Sequence, residues 1–189
     1  MAKVILGTTM SLDGFINDRN GSMDYLYPDL DELRKTEMLR DSVKNTGAAV
    51  MGRRAYDIAQ GDFTGYEFQV PIFVITHHAP QVVAKGENSR LKFIFVTNGI
   101  ESAIEKAKAT AGDRDVTIIG GASTAQQILN AGLVDEIQIG IVPVILGKGL
   151  RFFEHINTEE IQLEKIRVLE SPGRTDLRFR VVKHKGEIS

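Results

Sequence analysis

The chain has 189 residues, of which 42% are hydrophobic and 25% charged, and these proportions predict one globular domain over residues 1–189. A net charge of −2 gives no basis for general binding to nucleic acid or to an anionic membrane surface. The absence of cysteine excludes disulfides, a thiol nucleophile and cysteine-ligated zinc or iron–sulfur sites. No segment reads as a signal peptide, anchor or membrane span, so we expect a cytoplasmic protein.

The first half of the chain predicts four buried strands and two helices. The strands are short apolar runs at residues 3–10, 48–52, 70–76 and 91–97. Pro28 suits the first turn of a helix, the acidic residues after it favour the positive end, and Gly47 is a suitable stop. A second helix is expected from Arg53. Residues 18–28 are rich in Gly, Asn, Asp and Tyr and are expected to form a long loop.

The second half continues the alternation and then changes character. Helical apolar spacing runs from Ile100 to Gly112, and a strand is predicted at residues 116–119. Ser123 and Gln126 have the spacing of a capping box, which predicts a helix from that point to about Gly132. Alternating isoleucines then predict a strand that ends at Pro143. Two further alternating segments, residues 161–169 and 176–182, flank a turn at residues 171–174 and predict a hairpin.

Strands that alternate with helices predict an α/β fold with a mainly parallel central sheet and helices on its faces. The C-terminal hairpin adds antiparallel strands, so the sheet should be mixed. We find no internal repeat and no linker, which again indicates one domain. In such sheets ligands bind beyond the carboxyl ends of the strands. The residues that follow each strand are therefore the first place to search for a site.

The stretch "IIGGASTAQQ" at residues 118–127 leaves a buried strand through two glycines. A tight turn that needs positive φ explains such a pair. Glycines also let a phosphate approach bare N–H groups at a helix N-terminus. The stretch by itself leaves both explanations open. By contrast, "GKG" at residues 147–149 lacks the other residues of a P-loop and is predicted to be a turn.

The pair Arg53-Arg54 lies in the first turn of a predicted helix, where cations oppose the helix dipole. Two arginines in that position favour an anion held at the same terminus, such as the 2′-phosphate of a dinucleotide. The pair His77-His78 could be a metal ligand, but no carboxylate or histidine cluster accompanies it, so a polar loop is favoured and no metal site is predicted. A contact with an adenosine group remains open there, especially for Thr76.

The acidic residues near Pro28 also have two interpretations. Asp29 and Asp31 could complement a helix N-terminus, which is the commoner role. Alternatively, a carboxylate could face a pocket and hydrogen-bond a nitrogen heterocycle while its ring accepts a proton. Asp24 and Tyr25 are further candidates to line that pocket. Asp29 and Asp24 are therefore the candidate catalytic residues, and the sequence does not rank them.

Together these segments resemble the dihydrofolate reductase-like superfamily. Within it they are most similar to the reductase domain of the riboflavin-biosynthesis enzyme RibD and to the stand-alone relatives of that domain. The resemblance runs from "TTMSLDGFI" through "VMGRRAYD" and "VTIIGGASTAQQILNAGLVDEIQIGIVPVILGKG" to the hairpin. It implies an NADPH-dependent reductase, most like 5-amino-6-(5-phosphoribosylamino)uracil reductase, and a homodimer. The implied cofactor contacts are Thr9 and Ile16 at the nicotinamide, Gly52, Arg53 and Arg54 at the ribose phosphates, Thr76 near adenosine, and Gly120, Gly121, Ala122, Ser123 and Thr124 at the pyrophosphate.

Two departures bear on the substrate. Dihydrofolate reductases place the pterin-binding carboxylate two residues after the proline, where this chain has Leu30, and a tryptophan in the loop before it, where Tyr25 stands. A complete RibD also carries a zinc deaminase domain with cysteines, which this chain lacks. The resemblance therefore favours a pyrimidine bearing a ribosyl or ribityl phosphate over folate. The alternatives are dihydrofolate reductase activity and an NADPH-binding protein without turnover.

Overall fold

A computed structural model describes residues 2–28, 30–157 and 161–182. Its eight-stranded sheet has the order β4-β3-β2-β5-β1-β6-β8-β7. None of the helices in the described part of the chain is both long and apolar enough to cross a membrane. The elements in chain order are β1 Val4–Ser11, a 3₁₀ turn Asp24–Leu26, α1 Leu30–Lys35, α2 Glu37–Asn45, β2 Thr46–Gly52, α3 Arg53–Ile58, β3 Ile72–Ile75, β4 Phe93–Val96, α4 Ile100–Ala111, β5 Asp115–Ile118, α5 Ala122–Asn130, β6 Glu136–Val142, β7 Gln162–Ser171 and β8 Arg174–Val182.

The first six strands are parallel, and the C-terminal hairpin joins them in antiparallel pairing through β8. This confirms the predicted fold class. Because the six parallel strands point the same way, the residues that follow all of them meet at one edge of the sheet. The turn between β7 and β8 reaches the same edge, since β7 runs in the direction of β6. We call this the carboxyl edge.

Helices cover both faces of the sheet. On one face, α4 and α5 pack their small and branched residues on alternate side chains of β1, β2 and β5, such as Val4, Val50 and Ile118. On the other face, α2 and α3 pack against the intervening side chains of β2 and β3, including Met51 and Val74. Tyr56 of α3 and several phenylalanines complete this cluster. The period of two along each strand therefore divides the core into two layers.

The predicted helix over residues 28–47 is wrong as a single element. Two helices, α1 and α2, meet at Thr36, which is in an extended conformation and caps α2 by accepting a hydrogen bond from the Leu39 N–H at 3.3 Å. A threonine side chain that satisfies a first-turn donor stabilises a new helix start. The prediction of one helix rested on Pro28 as its start and Gly47 as its stop, and neither residue marks a break at Thr36.

Gly47 does not stop the helix either, because α2 already ends at Asn45 and Gly47 lies within β2. The register with β5 shifts between Thr46 and Ala48, so Gly47 occupies an irregularity in the pairing. A Cβ there would lie 2.7 Å from the carbonyl oxygen of Ala111 at the end of α4. The glycine is required by this close approach of helix to strand.

The capping box predicted from Ser123 and Gln126 is also wrong. The N-cap of α5 is Gly121, which has no side chain with which to cap this helix. The Gln126 amide instead donates to the carbonyl of Phe152 at 2.8 Å, in a buried position. The Gln126 side chain, which the local motif assigned to the cap, therefore makes a tertiary contact with a distant segment instead.

Replacing Gly47 with alanine should lower the free energy of unfolding by about 1–3 kcal/mol, because the methyl group would force β2 away from α4. Thermal unfolding followed by circular dichroism measures the loss. Gly7→Ala is the matched control, since it adds the same methyl group in a strand where the nearest atoms are 3.9 Å away. Equal losses for the two variants would contradict the steric explanation.

Candidate active site

The end of β2 and the start of α5 are in close contact at the carboxyl edge. The Gly52 N–H donates to the carbonyl of Gly120 at 3.2 Å. A Cβ at Gly52 would collide with Oγ1 of Thr124, and a Cβ at Gly120 would lie 3.0 Å from that of Ala55. Both glycines are therefore explained by packing between the two segments. Their contact brings the N-termini of α3 and α5 together.

Gly121 begins α5 with φ of +86°, a conformation that side chains rarely adopt. The first main-chain bond of the helix is from the Ala125 N–H to the Gly121 carbonyl, at 2.9 Å. The N–H groups of Ala122, Ser123 and Thr124 precede this bond, and no side chain caps them. The turn geometry thus requires the glycine and also leaves first-turn donors free of a side-chain cap at the carboxyl edge.

The two arginines at the start of α3 have different surroundings. Arg53 donates from Nε to Asp57 and from Nη1 to the carbonyl of His78, each at 2.8 Å. The Thr76 hydroxyl donates to the same carbonyl at 2.8 Å, so Arg53 and Thr76 together hold the loop after β3. Arg54 is exposed and makes no hydrogen bond or ion pair within the described residues. Of the pair, Arg54 is the one whose charge remains available to an anion.

The loop after β1 is fastened to the loop after β6. The Asp13 carboxylate accepts from the Ser11 hydroxyl at 2.6 Å and from the N–H groups of Leu146 and Gly147 at 3.1 and 2.7 Å. The Ile16 N–H donates to the carbonyl of Leu150 at 2.9 Å, and the side chain of Ile16 is half-buried against the core. The segment "GKG" is a turn, as predicted, and Asp13 is its anchor.

Hydrogen bonding governs the titration of this anchor. The hydroxyl of Ser11, followed by the N–H groups of Gly147 and Leu146, holds the pKa of Asp13 at about 2 against a smaller opposing effect of burial. Each of these bonds favours the carboxylate over the acid. The connection between the two loops therefore depends on Asp13 being ionised.

A cavity of about 480 Å³ opens on the carboxyl edge between the segment that precedes and includes α1, the end of β6 and the turn of the hairpin. Tyr27 lies in its wall with Tyr25 and Arg174. Burial raises the pKa of the Tyr27 phenol, opposed in part by a hydrogen bond to Thr9 and by the charge of Arg174, so the phenol is protonated at neutral pH. The lining residues are Tyr25, Leu26, Tyr27, Pro28, Glu32, Leu33, Lys35, Thr36, Glu37, Val142, Pro143, Val144, Glu170, Ser171, Pro172, Gly173 and Arg174.

A buried polar cluster stands behind this wall. Thr9, Gly140 and Asp176 are aligned in register on β1, β6 and β8. The guanidinium of Arg174 lies over Gly140, where a Cβ would collide with Nη2. It donates to Oδ1 of Asp176 from Nε at 3.0 Å and from Nη2 at 2.6 Å, and from Nη2 to the Thr9 hydroxyl at 3.4 Å.

Of the two candidate catalytic carboxylates, only Asp24 lies within the described residues. Asp24 is exposed in the 3₁₀ turn and is not among the lining residues, although Tyr25 beside it is. Asp29 lies outside the described residues. Their catalytic roles stay predictions. Of the predicted nicotinamide contacts, Thr9 is buried behind the cavity wall, whereas Ile16 belongs to the fastened loop.

Sequence reasoning missed Tyr27, Arg174 and Asp176. Residues 171–174 were assigned only to the hairpin turn, and Asp176 only to a strand. One signal was present, because residues two apart on a strand share a face, and Arg174 and Asp176 have opposite charges at that spacing. Nothing in the sequence indicated that this face would be buried beside Thr9.

The mixed sheet, the two helix N-termini and the adjacent cavity together define an α/β protein of the dihydrofolate reductase-like fold. The family described as the RibD C-terminal domain matches residues 2–175, and the chain belongs to that family. YyaP of Bacillus subtilis (strain 168), described as an uncharacterized protein, is 27% identical over 157 residues, 80% of each chain. The riboflavin biosynthesis protein RibD of Corynebacterium ammoniagenes is 31% identical over 166 residues, which cover 85% of this chain and 47% of that protein.

Two solved structures share the fold. One is the diaminohydroxyphosphoribosylaminopyrimidine deaminase/5-amino-6-(5-phosphoribosylamino)uracil reductase of Thermotoga maritima, with a TM-score of 0.74 and 14% identity over 96% of this chain and 57% of that one. The other is dihydrofolate reductase from Enterococcus faecalis complexed with NADP(H), with a TM-score of 0.64 and 15% identity over 95% of this chain and 96% of that one. At these identities the likeness concerns the fold.

The stability that Asp13 contributes should disappear in acid. Because its folded pKa of about 2 lies below the ordinary value of 3.8, the contribution is present above about pH 4 and is lost as the pH falls towards 2. Urea unfolding of the wild type and of Asp13→Asn at several pH values measures it. The gap between the two proteins should be constant from pH 5 to 7 and should close below pH 3. A gap that does not depend on pH would show that Asp13 acts through shape alone.

Proposed function

We propose that this protein is an NADPH-dependent reductase of a small heterocyclic substrate related to the aminopyrimidines of riboflavin biosynthesis. The observation that carries the proposal is the meeting, at one sheet edge, of a helix N-terminus whose N-cap is a glycine, an arginine without a partner among the described residues, and a cavity. The family membership and the names of RibD and the Thermotoga maritima reductase support the same reaction class.

The residues at the start of α5 suit the phosphates of a dinucleotide. The N–H groups of Ala122, Ser123 and Thr124 are donors at the positive end of a helix, and Gly121 adds no side chain in front of them. Arg54 would meet the 2′-phosphate, since its charge has no partner in the described part of the chain. Arg53 would act indirectly, by holding the loop that carries Thr76.

The cavity would hold the substrate. Its volume of about 480 Å³ is within the range of small-molecule sites, and the rings of Tyr25 and Tyr27 provide flat apolar surface for a planar heterocycle. When bound, the nicotinamide supplies the hydride. The part of this chain is to orient the substrate and to provide hydrogen-bond donors. Tyr27 is protonated at neutral pH and can donate to a substrate heteroatom from the cavity wall.

Arg54→Gln should weaken NADPH binding by about 10- to 100-fold and leave NADH binding nearly unchanged, because one charge-assisted bond to the 2′-phosphate contributes about 1.5–3 kcal/mol. Equilibrium fluorescence titration with both cofactors measures the change. Arg90→Gln is the control, an exposed arginine that precedes β4 at the opposite edge of the sheet. Equal losses of NADPH and NADH affinity would show that Arg54 does not recognise the 2′-phosphate.

Turnover is tested by the absorbance of NADPH in the presence of a panel of pyrimidine and pterin compounds. We expect oxidation of NADPH with an aminopyrimidine and slow or no oxidation with dihydrofolate. Tyr27→Phe should lower the turnover number by about 10- to 100-fold while NADPH affinity stays unchanged. Binding of NADPH without oxidation by any compound would instead indicate a cofactor-binding protein.

A further inference from the structure

The charged side chains that line the cavity disfavour an anionic ligand. Three carboxylates, Glu32, Glu37 and Glu170, lie in the lining with two cations, Lys35 and Arg174. The two cations are already paired, since Lys35 contacts Glu32 at 2.6 Å and Arg174 contacts Asp176 at 2.6 Å.

The carboxylates are less completely balanced. Glu37 has Arg167 as a partner at 2.5 Å, whereas Glu170 makes no ion pair within the described residues. The described lining therefore has one more carboxylate than cation, and a phosphate in this cavity would meet repulsion with no unpaired cation among these residues to offset it.

Arg174 nevertheless keeps unused donors. Its Nε and Nη2 point to Asp176 and Thr9, and the two N–H groups of Nη1 have no partner within the described residues. The side chain is only 11% exposed, and the residue lines the cavity. The fully buried polar atoms without a partner do not include Nη1. Since Nη1 has no partner in the described part of the chain, it must be accessible to solvent. A guanidinium with its charge balanced by Asp176 and two free N–H groups suits a neutral carbonyl oxygen.

Burying the carboxylate of Asp176 beside Arg174 costs free energy, and the cost is explained if Asp176 fixes the orientation of the guanidinium. It is 1% exposed, and only Oδ1 receives hydrogen bonds, while Oδ2 is enclosed without a partner. Burial raises the pKa of Asp176, and the Arg174 charge opposes that rise. A carboxylate with one unsatisfied oxygen destabilises the fold relative to a fully bonded one. An unsatisfied buried oxygen in a folded protein calls for an explanation, and a role in a functional site is one of those known.

We propose that the cavity binds the uncharged, carbonyl-bearing ring of the substrate, that Arg174 donates to a ring carbonyl, and that phosphorylated groups are excluded from this cavity. Asp176 is a positioning residue, which fixes the guanidinium over Gly140. Tyr27 lines the same wall, and its buried phenol is hydrogen-bonded to Thr9, which also accepts from Arg174. The inference rests on the proposed function, because it names the ligand chemistry of that site.

The experiment uses the full chain without cofactor and titrates it by calorimetry with two probes, 5,6-diaminouracil and ribose 5-phosphate. The wild type should bind the neutral ring, and binding of the sugar phosphate should be at least 10-fold weaker. Arg174→Gln should weaken 5,6-diaminouracil at least 10-fold. The control is Arg180→Gln, which removes an exposed arginine of the same strand that pairs with Glu164, and it should change the affinity less than 2-fold.

Three further variants separate recognition from folding and test the charge argument. Arg174→Ala leaves a guanidinium-sized space, and millimolar guanidinium chloride should restore at least part of the binding of 5,6-diaminouracil. Asp176→Asn should weaken the probe by less than Arg174→Gln does. Glu170→Lys should bring binding of ribose 5-phosphate to within 10-fold of the neutral ring.

Several results would overturn the inference. They are sugar-phosphate binding by the wild type as tight as that of 5,6-diaminouracil, no binding of the ring by the wild type, and ring binding unaffected by Arg174→Gln in a folded protein. Absence of guanidinium rescue in a folded Arg174→Ala protein would also contradict it. Thermal unfolding of the same samples with NADPH keeps the two proposals apart. Stabilisation by NADPH without binding of the ring contradicts only this inference.

Discussion

The close contact between the end of β2 and the start of α5 is the constraint on which the carboxyl edge depends. Gly52 has no side chain because Thr124 occupies that space, and its N–H reaches the carbonyl of Gly120. Any side chain at Gly52 would push α5 off the sheet and separate the two helix N-termini. The positive φ of Gly121 then allows the helix to begin immediately. Packing alone thus creates a place where first-turn N–H groups are bare.

The opposite edge of the sheet, where β1 and β6 begin, depends on buried charge. Lys3 and Arg178 contact Glu136 at 2.6 and 2.5 Å, and the Glu136 side chain is 4% exposed. Burial would raise the pKa of Glu136, but hydrogen bonds from Lys3 and Arg178 lower it below its ordinary value. This group uses both carboxylate oxygens, whereas Asp176 on the neighbouring strand leaves one without a partner. The two carboxylates therefore differ in how completely their oxygens are hydrogen-bonded.

The loops that frame the cavity have unequal supports. The loop after β1 is anchored through Asp13 and through Arg151, whose guanidinium lies 4.3 Å from the ring centre of Phe15. The 3₁₀ turn that carries Tyr25 instead has one buried side chain, Leu26, and its other two residues, Asp24 and Tyr25, are exposed. Stability is therefore concentrated on the side of the edge near β6, while the segment over the cavity has fewer buried contacts.

The sequence by itself determined the order of strands and helices, the mixed sheet and the hairpin, because these follow from local periodicity and turn residues. It also indicated the carboxyl edge, since Gly120, Gly121 and the arginines follow strands directly. The role of Gly47 and the partner of Gln126 were decided by contacts between distant segments, whereas the break at Thr36 comes with a local side-chain cap. The tertiary structure alone brought Arg174 over Gly140, placed Asp176 behind it and made Tyr27 a wall of the cavity. The periodicity of a sequence predicts which residues of one strand lie on the same face of the sheet. The residues that they contact on other strands depend on the order and register of the strands, which the local sequence does not specify.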